Sequence, residues 1–239
     1  MDKSIQIISI PNLLVAFVPV VAVLFVLWKW KEGVKTSVWA LVRMVIQLVL
    51  VGYVLTYIFE SDSAWMVIGV LAVMLFSSSW IALRTLSTRR NELLLKALLA
   101  IIVGGLAVLV LITQGVLMLD PWYLPQYLIP LAGMIFANAM NSVSLAGERL
   151  TSELERGSDY QQARNTALRA ALIPITNSLF AVGLVSLPGM MTGQILSGIS
   201  PLIAVRYQIM VMCMAFGSAG ISVALFLFLI KANFVSNEE

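Results

Sequence analysis

Seven stretches of roughly twenty mostly apolar residues follow one another along the chain, and none contains an Asp or a Glu. They cover residues 10–28, 38–59, 64–83, 97–119, 126–146, 167–187 and 204–230. A bilayer's hydrocarbon core is about 30 Å thick, and about 20 helical residues cross it. Each stretch is therefore a candidate span, and the expected fold is an all-α polytopic membrane protein of about seven helices. Charged residues make up only 11% of the chain, against about 25% in soluble domains. Such a chain cannot cover itself for water. The first stretch is longer than the 7–15 apolar residues of a signal peptide and lacks a small-residue cleavage site, so it is read as a span. Residues 1–239 are read as a single transmembrane domain.

Charge in the connecting segments sets the direction. Twelve of the 15 basic residues fall in one set of loops: Lys29, Lys31, Lys35, Arg84, Arg89, Arg90, Lys96, Arg149, Arg156, Arg164, Arg169 and Lys231. The opposite set holds Glu60, Asp62 and Asp120, with Lys3 its one clear base. Basic loops stay in the cytoplasm. The N-terminus is expected outside and the C-terminus inside.

The side chains also limit the chemistry. The chain has no His and one Cys, Cys213. That excludes a disulfide within the chain, His-ligated zinc, and Ser-His or Cys-His catalysis. No metal ligand set is evident. Ion-driven carriers commonly seat their ion on an intramembrane carboxylate, and none lies in the spans. Energy is therefore expected to enter from outside the bilayer. Asn, Ser and backbone carbonyls are the remaining seats for an ion-coupled carrier, which stays the alternative.

Few polar groups lie at membrane depth. Arg43, with Gln47 one turn deeper, either snorkels to the headgroups or makes a polar contact or gate. Asn138 and Asn141 share a face of the fifth span, and Asn177 sits just after Pro174 in the sixth. Buried amides in lipid face protein or water. These three are either interhelical contacts or the lining of a pathway.

Residues 147–169 form the longest cytoplasmic loop. Gly157 suits a helix end, because glycine reaches the left-handed region cheaply. Ser158 suits the start of the next helix, with Gln161 completing a capping box. The fifth span is thus expected to run on as a helix, turn sharply and return. Ala163, Ala167 and Ala171 make a smooth stripe on the returning helix, which suits docking on a partner. A solvated hairpin is the other reading.

Residues 186–203 are apolar yet broken by Pro188, Gly189, Gly193, Gly198 and Pro201. Pro188 stops a continuing helix. Gly189 and Gly193, four apart, allow close backbone approach if the piece is helical. A broken or re-entrant segment near the outer face is expected, and with it a gate or binding role. Met190 and Met191 are either packing or soft ligands suited to cuprous copper, and Gln194 lies beside them.

These residues resemble the Fet-type permeases, the membrane subunits of bacterial ATP-binding-cassette iron exporters, to which plant half-transporters linked to aluminium tolerance are related. The resembling stretches are residues 43–48 and 51–55, 130–135 with 138–140, and 169–174. The most specific is 182–196, followed by Gly198, Pro201, Ala204 and residues 207–210. The family's loop before the sixth span tends to read Leu-Gly-Ala and then Gln-Ala; here Arg156-Gly157-Ser158 precedes Gln162-Ala163. The resemblance implies a bacterial inner-membrane permease, present in two copies. It implies a separate cytoplasmic ATPase that carries ATP and Mg. Glu153, Arg156, Gly157, Ser158, Gln162 and Ala163 would be the coupling residues. The chain lacks a Walker phosphate loop and cannot hydrolyse ATP itself. It is expected to bind no cofactor and no nucleic acid, and its surroundings are lipid. Iron favours carboxylate and imidazole ligands, which the spans do not offer, so a chelated or organic cargo fits the polar inventory about as well.

Overall fold

Apolar runs in lipid must satisfy their backbone groups internally, which leaves helices as the way to cross. The computed structural model describes residues 8–60, 63–86 and 89–235. Lys3 and Asp62, used in the charge reading, lie outside them. The described residues are almost wholly helical. Six helical stretches among them are long and apolar enough to cross a membrane. The chain divides into two compact units, the first ending at Ser61.

The first unit holds α1 (Ile10–Val15), α2 (Val18–Trp30) and α3 (Val34–Phe59). The Ser9 hydroxyl caps α1 by accepting from the Asn12 amide at 3.4 Å. Lys31 at φ +59° and Gly33 at φ +50° turn the chain between α2 and α3. Nearly every side chain of this pair is exposed, and Ile58 is the one buried residue of α3. An apolar pair with so little internal packing suits a lipid or protein neighbour, since water would not tolerate it.

The second unit is a bundle of α4 (Ala64–Ala82), α5 (Arg90–Ile101), α6 (Ala107–Val110), α7 (Pro125–Glu155), α8 (Tyr160–Ala181), α9 (Gly189–Leu196), α10 (Pro201–Leu229) and α11 (Lys231–Val235). Two π-helical turns, Ile102–Leu106 and Leu111–Val116, flank α6, so that Arg90–Val116 forms one continuous span. The long α10 packs on α5, α7, α8 and α9. Its buried face mixes small residues, among them Ala204, Ala215, Ser218, Ala219 and Ser222, with large ones such as Met214 and Phe226. Between helices in lipid, small residues gain packing contacts by letting backbones approach. Gly104 shows how close: a Cβ there would lie 2.6 Å from the Ser222 backbone nitrogen. Buried hydroxyls are mostly satisfied by their own helix. Ser78 and Ser79 donate to the Leu75 carbonyl at 2.8 and 2.9 Å, and Thr113 donates to the Leu109 carbonyl at 2.9 Å.

Two expectations are corrected here. The sixth stretch, expected as a span over 167–187, is helical only to Ala181. Its polar start, with Arg164 and Arg169, leaves about twelve uncharged residues, or about 18 Å at 1.5 Å per residue. Next, the alanine stripe is not a free docking face. Ala163, Ala167 and Ala171 are buried within the bundle, because a methyl-sized face lets α8 lie close to its neighbours. Ala163 therefore offers no surface to a partner. Gly189 and Gly193 meet no close neighbour among the described residues of their own chain. α9 is helical, but a Cβ at either would meet nothing within 4 Å.

Candidate functional site

The elbow between α7 and α8 is built by two local devices. Helix α7 runs on to Glu155, as expected, and ends on Gly157 at φ +85°. The Gly157 amide donates to the Leu154 carbonyl at 3.0 Å and the Ser158 amide to the Glu153 carbonyl at 3.1 Å. This pair of bonds is a Schellman motif, in which the glycine takes the left-handed position. The next helix is capped by Asp159 and not by Ser158, a correction to the sequence reading. The Asp159 carboxylate accepts from the Gln161 and Gln162 amides at 2.7 and 3.0 Å. A carboxylate reaches both amides and favours the positive helix start. Ser158 instead donates to the Glu153 carboxylate at 3.4 Å.

Glu153 gathers the elbow's charges. Its carboxylate meets Arg149 at 2.6 Å and Arg156 at 3.4 Å. Arg156 and Gln162 are exposed, so of the six expected coupling residues they present the freest side chains. Tyr160 ties the elbow to the far end of α10 by donating to the Leu227 carbonyl. Burial pushes its phenol up to about 12, against a smaller opposing pull from Arg164, so the hydroxyl remains a donor at physiological pH. Beside this end, Asn233 of α11 bonds to Lys96 and Glu92. The Arg89 guanidinium lies 4.6 Å from the Phe234 ring centre.

At the other end of α8 the backbone breaks. Gly183 at φ +81° turns the chain, and the Ala181 carbonyl accepts from the amides of Leu184, Val185 and Ser186. Pro188 then stands just ahead of α9 in an extended conformation, φ −62° and ψ 149°, where its missing N–H costs nothing. Gly198 at φ +89° closes α9 with a second Schellman pair, Gly198 to Ile195 and Ile199 to Gln194. The expected broken segment is thus a short helix between two defined turns.

Beside this short helix lies a cavity of about 370 Å³. Its lining includes Leu179 at the end of α8, Leu187 and Met191 from the broken segment, and Gln208, Met212 and Cys213 from α10. The lining is almost wholly apolar. Gln208 is its main polar member, 5% exposed and with its amide oxygen unpartnered. Of the expected pathway residues, Met191 alone lines this cavity. Met190 is half-buried, and Gln194 also has an unpartnered buried amide oxygen.

The three asparagines take different places. Asn138 donates to the Met134 carbonyl at 2.8 Å within its own helix, whereas Asn141 and Asn177 are exposed. Helices α7 and α8 are neighbours joined by the elbow. Asn138 and Asn177 each stand seventeen residues from the elbow end of their helix, or about 25 Å along it. In the first unit, Arg43 and Gln47 lie together. With its amide oxygen turned to the guanidinium, Gln47 accepts from Nε at 3.1 Å and from a terminal nitrogen at 3.3 Å. Among the described residues no group of three His, Cys, Asp or Glu side chains could hold a metal ion.

Sequence reasoning missed Gln208, Met212 and Cys213 as the lining of one cavity. Part of the signal was present: Gln208 aligns with Met212 and Ile209 with Cys213, four apart on the helix, in two adjacent rows that both border the cavity.

Comparison with known proteins bears on the same stretches. Residues 10–235 match the family described as Uncharacterised protein family (UPF0014). The chain is 39% identical to the UPF0014 membrane protein slr1647 of Synechocystis sp., over 80% of each chain. It is 36% identical to the Probable iron export permease protein FetB of Escherichia coli, over 95% of this chain and 93% of that one. It is 30% identical to Protein ALUMINUM SENSITIVE 3 of Arabidopsis thaliana, over 85% and 80%. No solved structure matches.

Proposed function

From the premise that this chain belongs to the UPF0014 family of membrane proteins, we propose that it is the permease subunit of an ATP-binding-cassette exporter. It moves iron or another metal out of the cytoplasm, and a separate cytoplasmic ATPase drives it. The observation that carries this reading is the likeness to FetB over 95% of the chain. The elbow supports it. Helix α7 is 31 residues long, or about 46 Å, so it exceeds the bilayer core and carries Glu153, Arg156 and Gly157 beyond it. A rigid turn with exposed Arg156 and Gln162 is the kind of element a moving ATPase can push.

One elbow per chain and a pair of ATPase subunits imply two copies of the chain, related by a two-fold axis. Seven crossings, with α8 and α9 together making the broken one, keep twelve of 15 basic residues on the cytoplasmic side of a bacterial inner membrane. Arg43 and Gln47, exposed within the first unit, are placed to face protein or headgroups. A chelated or organic cargo is the second reading, favoured by the apolar lining of the cavity beside α9.

The test is affinity purification of the tagged chain from its native membrane. The expected result is a Walker-motif ATPase in equal amount, which Gly157→Val releases while the chain still inserts. Recovery of the chain with no ATPase, or with the complex unaffected by Gly157→Val, would overturn the coupling role.

A further inference from the structure

The cavity beside α9 carries a chemistry that the permease reading does not use. Three sulfur-bearing side chains stand in its wall: Met191 from α9, and Met212 and Cys213 from α10. The two helices pack together. Gln208 lies one turn before Met212 on the same face of α10. Its buried, unpartnered amide oxygen favours a positive guest, since an orphaned acceptor at depth is costly. Cys213 is exposed and lines the same cavity.

Charge decides which guest fits. An uncompensated charge at membrane depth is expensive. The lining has no Asp, Glu or His, so the Cys213 thiol is the one lining group able to become an anion. One thiolate neutralises one monovalent cation and leaves a divalent ion with a net charge. Thiolate and thioether sulfur are soft ligands that select cuprous copper over hard ions. We propose that Met191, Met212 and Cys213 form a binding site for one soft monovalent cation, cuprous copper or silver. As the sulfur–metal bond forms, the Cys213 thiol passes its proton to water, and no electron moves.

The test uses the full chain in detergent, with no ATPase present, so its outcome is separate from that of the coupling experiment. Cuprous copper is titrated in competition with a chromogenic chelator under anaerobic, reducing conditions. One copper per chain is expected, displaced by Ag⁺ and not by Fe²⁺ or Zn²⁺. Cys213→Ser should abolish the competition. Met191→Leu and Met212→Leu, which keep volume and hence packing, should each weaken binding by roughly tenfold or more, the scale on which even supporting groups tune metal sites. Unchanged melting of the metal-free variants would show that the fold is intact. Two Leu variants that bind like the parent would mean that a thiol reacts alone and no site exists. Absence of binding, or displacement by Fe²⁺, would equally overturn the proposal.

Discussion

A glycine's meaning depends on what stands opposite it. Spacing in the sequence drew attention to Gly189 and Gly193, yet no other element among the described residues lies within 4 Å of a Cβ at either. The close approaches are at Gly104, Gly105 and Gly147, where a Cβ would meet Ser222 backbone, the Phe136 ring and Leu86 respectively. A small residue declares that approach is allowed; only the tertiary arrangement supplies the neighbour. The consequence is testable in one pair of variants. Gly104→Ala pushes against backbone, which cannot rotate away as a side chain can. It should cost about 1–3 kcal/mol, the usual range for overpacking, and lower the melting temperature in detergent. Gly193→Ala fills open space inside a helix and gains about 1 kcal/mol of helix propensity, so its melting temperature should hold or rise. Equal melting of Gly104→Ala and the parent would mean that the π-helical turn Ile102–Leu106 and α10 are not in contact there.

At the scale of elements, the elbow was legible because its determinants are local. Gly157 needs nothing but its neighbours to end α7, and it does so. The cap was misread by one residue because Ser158 and Asp159 are both good capping types, and the choice depends on the backbone. The alanine stripe was misread for a different reason. A smooth face shows that something can lie close and does not say whether the neighbour is in the same chain. The cap makes a sharp prediction. Asp159→Ala removes two amide bonds at the start of α8 and should cost about 1 kcal/mol. Amide hydrogen exchange at Gln161 and Gln162 should then quicken by roughly fivefold. Ser158→Ala, which removes a single 3.4 Å contact to Glu153, should leave those amides as they were. If the two variants exchange alike, Asp159 is not the cap.

The whole molecule was legible as a membrane bundle, since the apolar runs alone force that answer. The path of the chain across the membrane was less so, because composition counted 167–187 as one span whereas the helix stops at Ala181 and turns at Gly183. An apolar run reports what lipid tolerates; the turn came from glycine and proline chemistry inside the run. The orientation expected from the basic loops is open to direct measurement. In a Cys213→Ser background, single cysteines are placed at Met118, exposed in the connection before α7, and at Ser152, near the elbow. Met118 is largely exposed and Ser152 is itself small and polar, so insertion should be unaffected. An impermeant thiol reagent applied to intact cells should label Met118→Cys, and should reach Ser152→Cys only after the membrane is opened. The reverse pattern would put the elbow outside, away from any ATPase. That would remove the coupling role together with the orientation, because an elbow can transmit the work of ATP hydrolysis only from the side where ATP is held.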